Sequence, residues 1–125
     1  MDVEDQHHQA PSSTKVLTDT VIAFCQTIEK AGYYAMIYSS SWWFHDELDL
    51  ARLAPYDIWS AQWCVSEPTV RHGIWQYTSD GKVNGYTGRL DCNYAYKDYP
   101  KIMRENGLNG LRKTATSSSP QKGVE

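Results

Sequence analysis

The sequence predicts an α/β fold, and three observations carry that prediction. A helical hydrophobic period over residues 17–28 leads through Gly32 into the apolar run Tyr33-Tyr34-Ala35-Met36-Ile37-Tyr38, the αβ half of a repeating α/β unit. Two later segments, 57–63 and 73–78, are rich in Trp, Tyr and Ile and read as strands. Little helical period separates them, so the order resembles the back half of an alternating pattern. A chain of 125 residues suits one ordinary domain and is too short for two.

The elements follow in chain order. Met1-Asp2-Val3-Glu4-Asp5 reads as the end of a strand, and a loop broken by Pro11 and two serines follows. Leu17, Val21, Phe24, Cys25 and Ile28 recur at helical spacing, with Ser12, Ser13, Thr14 or Thr18 as N-cap and Gly32 placed to end the helix. Residues 33–38 form the next strand. Residues 39–53 are irregular, with short helical turns at most, and Pro55 punctuates them. Strands at 57–63 and 73–78 precede Ser79-Asp80-Gly81-Lys82, a turn by its Asp-Gly pair. Residues 88–93 are a last strand or its exit loop. Residues 98–107 suit a terminal helix with Pro100 in its first turn. From Arg112 onward Ser, Thr, Lys, Pro and Gly dominate, so 112–125 reads as a disordered tail or linker behind a domain of residues 1–111.

Composition excludes several function classes. Twelve Lys and Arg against fifteen Asp and Glu give a charge of −3, which argues against nucleic-acid or anionic-membrane binding. No apolar run approaches the ~18 residues of a membrane span. No charged and apolar leader follows Met1, so no secretory signal is expected in this sequence. Cys25, Cys64 and Cys92 are too few for a disulfide framework or a zinc motif. They read as three buried thiols, or as leaving at least one thiol free. The four histidines lack metal-ligand spacing and read as solvated loop residues, and nothing calls for a cofactor or a metal. Nine Tyr and five Trp, all between Tyr33 and Tyr99, suit either a Tyr-rich core or a half-wet sugar-binding surface.

Asp2 and Glu4 are the first candidates for chemistry. Residues i and i+2 of a strand share a face, roughly 6.6–7 Å apart. Two carboxylates held close split their pKa values, which a glycosidase needs for a protonated acid beside an anion. Taken alone, Asp-x-Glu is also what a solvated acidic segment looks like.

The ordered set of motifs is more specific. Asp2-Val3-Glu4-Asp5 resembles the Asp-x-Glu motif of glycoside hydrolase family 25, the lysozymes of the Chalaropsis type. Ala23-Phe24-Cys25, Gly32-Tyr33-Tyr34 and Ile37-Tyr38-Ser39-Ser40 resemble that family's following helix and strand. Residues 56–63 are similar to its Asp-x-Trp-x-Ala-Gln strand, 73–83 to its Trp-Gln-Tyr-Thr segment, and Gly88-Arg89-Leu90-Asp91-Cys92-Asn93-Tyr94 to its final Asp-x-Asn motif. The likeness covers about residues 1–100.

The resemblance implies a partial modified TIM-type (β/α) barrel with a parallel-type wall and helix-poor last strands. It also implies that the N-terminal half is missing, together with an active-site Asp that the family carries on its first strand. It implies a peptidoglycan N-acetylmuramidase that cuts the β-1,4 bond between N-acetylmuramic acid and N-acetylglucosamine, outside the cell or in the cell wall. The isolated half is then expected to have little or no activity. It would be a non-catalytic fragment with weak glycan binding, or one half of a split enzyme whose partner supplies the complementing N-terminal strands. Within the match, Glu4 takes the place of the general acid/base. Asp2 takes that of an anionic partner that stabilises the oxocarbenium ion, acts as nucleophile or orients the substrate's N-acetyl group. Asp91 is a third acidic residue of the site, Tyr38 a hydrogen-bonding group at the reacting sugar, and Trp63 and Gln76 further cleft residues. Trp59 and Trp75 read as packing against helices, and Trp42 and Trp43 as a sugar platform or a loop anchor.

Overall fold

The computed structural model describes residues 1–111. The tail expected at 112–125 lies outside the described residues. In order, the elements are α1 (Thr14–Lys30), β1 (Met36–Ser40), α2 (Ser41–Asp46), β2 (Asp57–Ala61), β3 (Ile74–Gly81), β4 (Leu90–Ala95) and α3 (Tyr99–Asn106). The strands form one four-stranded sheet in the order β1-β2-β3-β4. β1, β2 and β3 are parallel, and β4 returns antiparallel to β3.

Helix α1 starts where the Ser13 side chain accepts from the Val16 N–H and ends where Gly32, at φ +85°, lets the chain turn into the left-handed region. Leu17, Val21 and Cys25 form its buried stripe. They pack with Val3, Ile37, Phe44, Leu53 and Ile58 in one core on one side of the sheet. Phe24, on the same expected stripe, stays exposed. Helix α3 starts at Asp98, whose side chain accepts from the Lys101 N–H, carries its proline in the first turn and ends on left-handed Gly107.

The structure corrects several expectations. The strand expected at 33–38 begins three residues later, and Tyr33 is exposed before it. Ser39 and Ser40 belong to the strand because their hydroxyls are satisfied there: Ser39 Oγ donates to Val3 O at 2.6 Å, and Ser40 Oγ accepts from the Trp43 N–H to open α2. Ser79-Asp80-Gly81 is not a turn. β3 runs through it with two irregularities in register, and Gly81 is needed because a Cβ would meet the Cys92 thiol and, at 2.9 Å, Leu90 O. The expected parallel-type wall holds for three strands only. Eight residues join β3 to β4, too few for the crossover that parallel pairing requires. Three buried thiols are not found: Cys25 is buried, Cys64 exposed and Cys92 intermediate, all three free. Trp43 anchors α2 in the core while Trp42 faces solvent.

Candidate active site

Residues 1–3 run beside β1 in parallel. The Tyr38 N–H donates to Met1 O at 2.8 Å and the Val3 N–H to Tyr38 O at 3.0 Å, which makes a bridge between Asp2 and Tyr38. The two-residue period then sorts the side chains. Val3 is fully buried in the core, while Asp2 and Glu4 are exposed and line a cleft on the other side.

The sheet supplies the rest of that cleft. Tyr38 pairs with Trp59 across β1 and β2, and Gln76 pairs with Asn93 across β3 and β4. These four side chains, with Asp2, Glu4 and Asp91, line a cleft of about 620 Å³. The Tyr38 hydroxyl donates to Gln76 Oε1 at 3.3 Å, and its ring meets the Trp59 ring edge-on at 5.3 Å. Trp59 Nε1 donates to Asn93 Oδ1 at 2.7 Å.

The ionisable side chains Asp2, Glu4 and Asp91 make the cleft lining acidic. Among the described residues, Asp2, Glu4 and Asp91 form no ion pair with Lys, Arg or His. Partial loss of solvent in the cleft pushes the Glu4 carboxyl above its ordinary value, although the residue is exposed as a whole, and the neighbouring charges of Asp2 and Asp91 push it further the same way. Glu4 therefore keeps its proton to a higher pH than a free glutamate, as a general acid must. The Tyr38 phenol is raised too, by burial first and then by the charge of Glu4.

Five of the six residues singled out from the sequence meet in this cleft: Asp2, Glu4, Asp91, Tyr38 and Gln76. Trp63 does not line it, but its Nε1 donates to Gln76 Oε1 at 3.2 Å from just beyond β2. Trp59 was expected to pack against helices and instead faces the cleft. Trp75 does point to the other face, where its ring meets those of Tyr77 and Tyr94. Asn93, Met36, Tyr34, Ile28 and Met1 complete the lining and were not anticipated as site residues. Strand parity would have found two of them: Asn93 stands two residues after Asp91, and Met36 two before Tyr38.

A fourth carboxylate, Asp57, is built in the opposite way. Its Oδ1 accepts from Lys97 Nζ at 2.7 Å, and its Oδ2 accepts from the hydroxyls of Tyr34 at 2.6 Å and Tyr99 at 3.2 Å. Burial would raise its pKa, but the Lys97 ammonium and the two phenols together outweigh burial and hold it below the ordinary value. Gly73 leaves the room for this, since a Cβ there would run into the Tyr99 hydroxyl.

None of the curated proteins matches the chain in sequence. Among solved structures, the lysozyme from Streptomyces coelicolor is 24% identical with a TM-score of 0.69, over 82% of this chain and 52% of that one. The CTP1L endolysin is 25% identical with a TM-score of 0.61, over 70% of this chain and 33% of that one. The Clostridium perfringens spore cortex lytic enzyme SleM is 22% identical with a TM-score of 0.56, over 67% of this chain and 32% of that one. The match thus spans about a third to a half of the length of these relatives. The family model described as glycosyl hydrolases family 25 matches residues 1–86, from the Asp2–Glu4 pair through all of β3, and on that match the chain belongs to this family.

Proposed function

We propose that the cleft belongs to a peptidoglycan N-acetylmuramidase, which hydrolyses the β-1,4 bond between N-acetylmuramic acid and N-acetylglucosamine. The observation that carries this reading is the raised Glu4 carboxyl, set beside Asp2, Asp91 and Tyr38 in one cleft of a family 25 chain. Glu4 gives its proton to the glycosidic oxygen as the bond to the anomeric carbon breaks. Asp2 and Asp91 offset the positive charge that develops on the sugar. Asp2 either bonds the anomeric carbon or orients the substrate's acetamido group for that attack. Glu4, now ionised, takes a proton from the water that completes hydrolysis. Tyr38 and Gln76, with Trp63 behind them, hold the reacting sugar. The chemistry calls for no cofactor.

The four strands are part of a modified barrel wall, with residues 1–111 as the unit and 112–125 as tail or linker. The partner is the glycan strand of peptidoglycan, met in the cell wall or outside the cell.

A second reading is favoured by the open four-stranded sheet and by the share of each relative that is covered. The 125-residue chain alone binds glycan with little turnover, and activity needs strands from a complementing segment. The test measures new reducing ends released from purified cell walls. It compares the chain alone with the chain joined to the part of the Streptomyces coelicolor lysozyme that the match leaves uncovered. Muramic acid ends that vanish with Glu4→Gln support the muramidase. Turnover only in the joined form supports the second reading. N-acetylglucosamine ends overturn the assigned bond.

A further inference from the structure

We infer that the Gln76 amide is locked in one orientation, with its Nε2 facing the cleft as a donor for a sugar oxygen, and that Trp63 is the positioning residue that locks it. The inference rests on the glycan reading of the cleft.

Gln76 is 3% exposed, so its amide has few partners to choose from. One oxygen, Oε1, takes both the Trp63 indole N–H at 3.2 Å and the Tyr38 hydroxyl at 3.3 Å. An indole N–H can only donate. Turning the amide over would set two donors face to face, so Trp63 fixes which end is oxygen. Nε2 has no hydrogen-bond partner among the described residues, yet no buried side-chain polar atom there goes unpaired. Nε2 is therefore open to the cleft that Gln76 lines.

The indole is itself held in place. The Gln62 N–H donates to Gln76 O at 3.2 Å, and Trp75 Nε1 donates to Gln62 O at 2.7 Å from the other face of the sheet. Residue 63 follows directly, so its ring meets the side chain of the residue whose backbone anchors its neighbour. A second consequence falls on Tyr38. Its proton goes to Gln76, so its oxygen lone pairs are left for the cleft, where they accept from a sugar hydroxyl. One donor and one acceptor thus face the ligand side by side, both set by an indole outside the cleft.

The test uses the 125-residue chain and a β-1,4-linked tetramer of N-acetylglucosamine, with Trp63→Phe and Gln76→Glu. In the unliganded parent, the Trp63 indole N–H exchanges more slowly than that of Trp42, although the two rings are about equally exposed at 49% and 58%. Gln76→Glu keeps that protection, because the carboxylate still accepts, but loses the donor and weakens tetramer binding by roughly three- to ten-fold. Trp63→Phe weakens binding by a similar factor, although residue 63 does not line the cleft. An indole that exchanges as fast as that of Trp42 overturns the lock, as does tetramer binding unchanged in either variant. A parent that does not bind the tetramer overturns the glycan reading itself, and this failure is told apart because the exchange measurement needs no ligand.

Discussion

Glu4 and Asp57 sit on the same small fold and are treated in opposite ways. Asp57 receives an ammonium and two phenols and ties together the approach to β1, the start of β2 and the start of α3. Its carboxyl is lowered and its lone pairs are filled. Among the described residues Glu4 receives no cation; it stands near two more carboxylates and is raised. The difference lies in where Lys97 is placed. A cation beside a carboxylate builds structure, whereas withholding one keeps a proton available and leaves like charges to repel. The first carboxylate holds the molecule together, and the second is tolerated at a cost to stability.

The largest expected effect that would break this contrast is on turnover. In any form of the chain that cuts peptidoglycan, Glu4→Gln should lower the rate by at least about 10²-fold with the fold intact, given what general acid catalysis contributes. Reducing-end release with circular dichroism on the same sample checks both halves. Asp57→Asn should cost about 2 kcal/mol in denaturant unfolding at neutral pH, because Lys97 and two phenols lose an ionised acceptor. That figure allows for screening at Lys97, which is half exposed. The lowered pKa gives the sign with pH: Asp57 stabilises fully above its ordinary value of 3.8. The gap between parent and variant should close as the pH falls through the lowered value.

Gly73→Ala should act in the same direction but more weakly, about 1 kcal/mol, because it displaces the end of the Tyr99 side chain and leaves Lys97 and Tyr34 on Asp57. The smallest effect has the opposite sign. A raised carboxyl opposes folding once the pH exceeds its folded pKa, and does nothing below the ordinary 4.5. Glu4→Gln should therefore raise the Tm slightly at neutral pH and leave it unchanged at pH 4. A Tm that falls at neutral pH would mean Glu4 is a structural group like Asp57.

The two carboxylates also differ in how far the sequence announced them. Asp2 and Glu4 stand two apart around an apolar residue, and that short-range period is enough to put both on one face with Val3 buried between them. Asp57 stood inside a recognised strand, but its partner Lys97 is 40 residues away and its Tyr34 was read as part of a strand. Nothing local encodes a pairing across that distance. Trp59 was misread for a related reason. An aromatic on a strand reads as core, and only the knowledge that β2 has a wet face, with Asp57 two residues earlier, reveals the cleft. The Asp-Gly pair at Asp80-Gly81 marks a turn by composition, yet here the missing side chain serves close strand approach. Caps are local chemistry, so the sequence narrowed the cap of α1 to four residues that include Ser13, while Asp98, read as the first residue of the last helix, is its cap.

The bridge that presents Asp2 and Glu4 has a kinetic side. The pair flanks Val3, and residues 1–3 are held beside β1 by hydrogen bonds to Met36 and Tyr38, by burial of the Val3 side chain and by the Ser39 hydroxyl. A local opening here would break the two backbone hydrogen bonds to Tyr38 and the Ser39 bond to Val3 O. When the segment opens, Glu4 leaves the cleft and the Val3 amide meets water. Hydrogen exchange at that single amide thus counts how often Glu4 is in place, and a ligand that bridges Glu4 and Tyr38 would slow it by holding the two segments together.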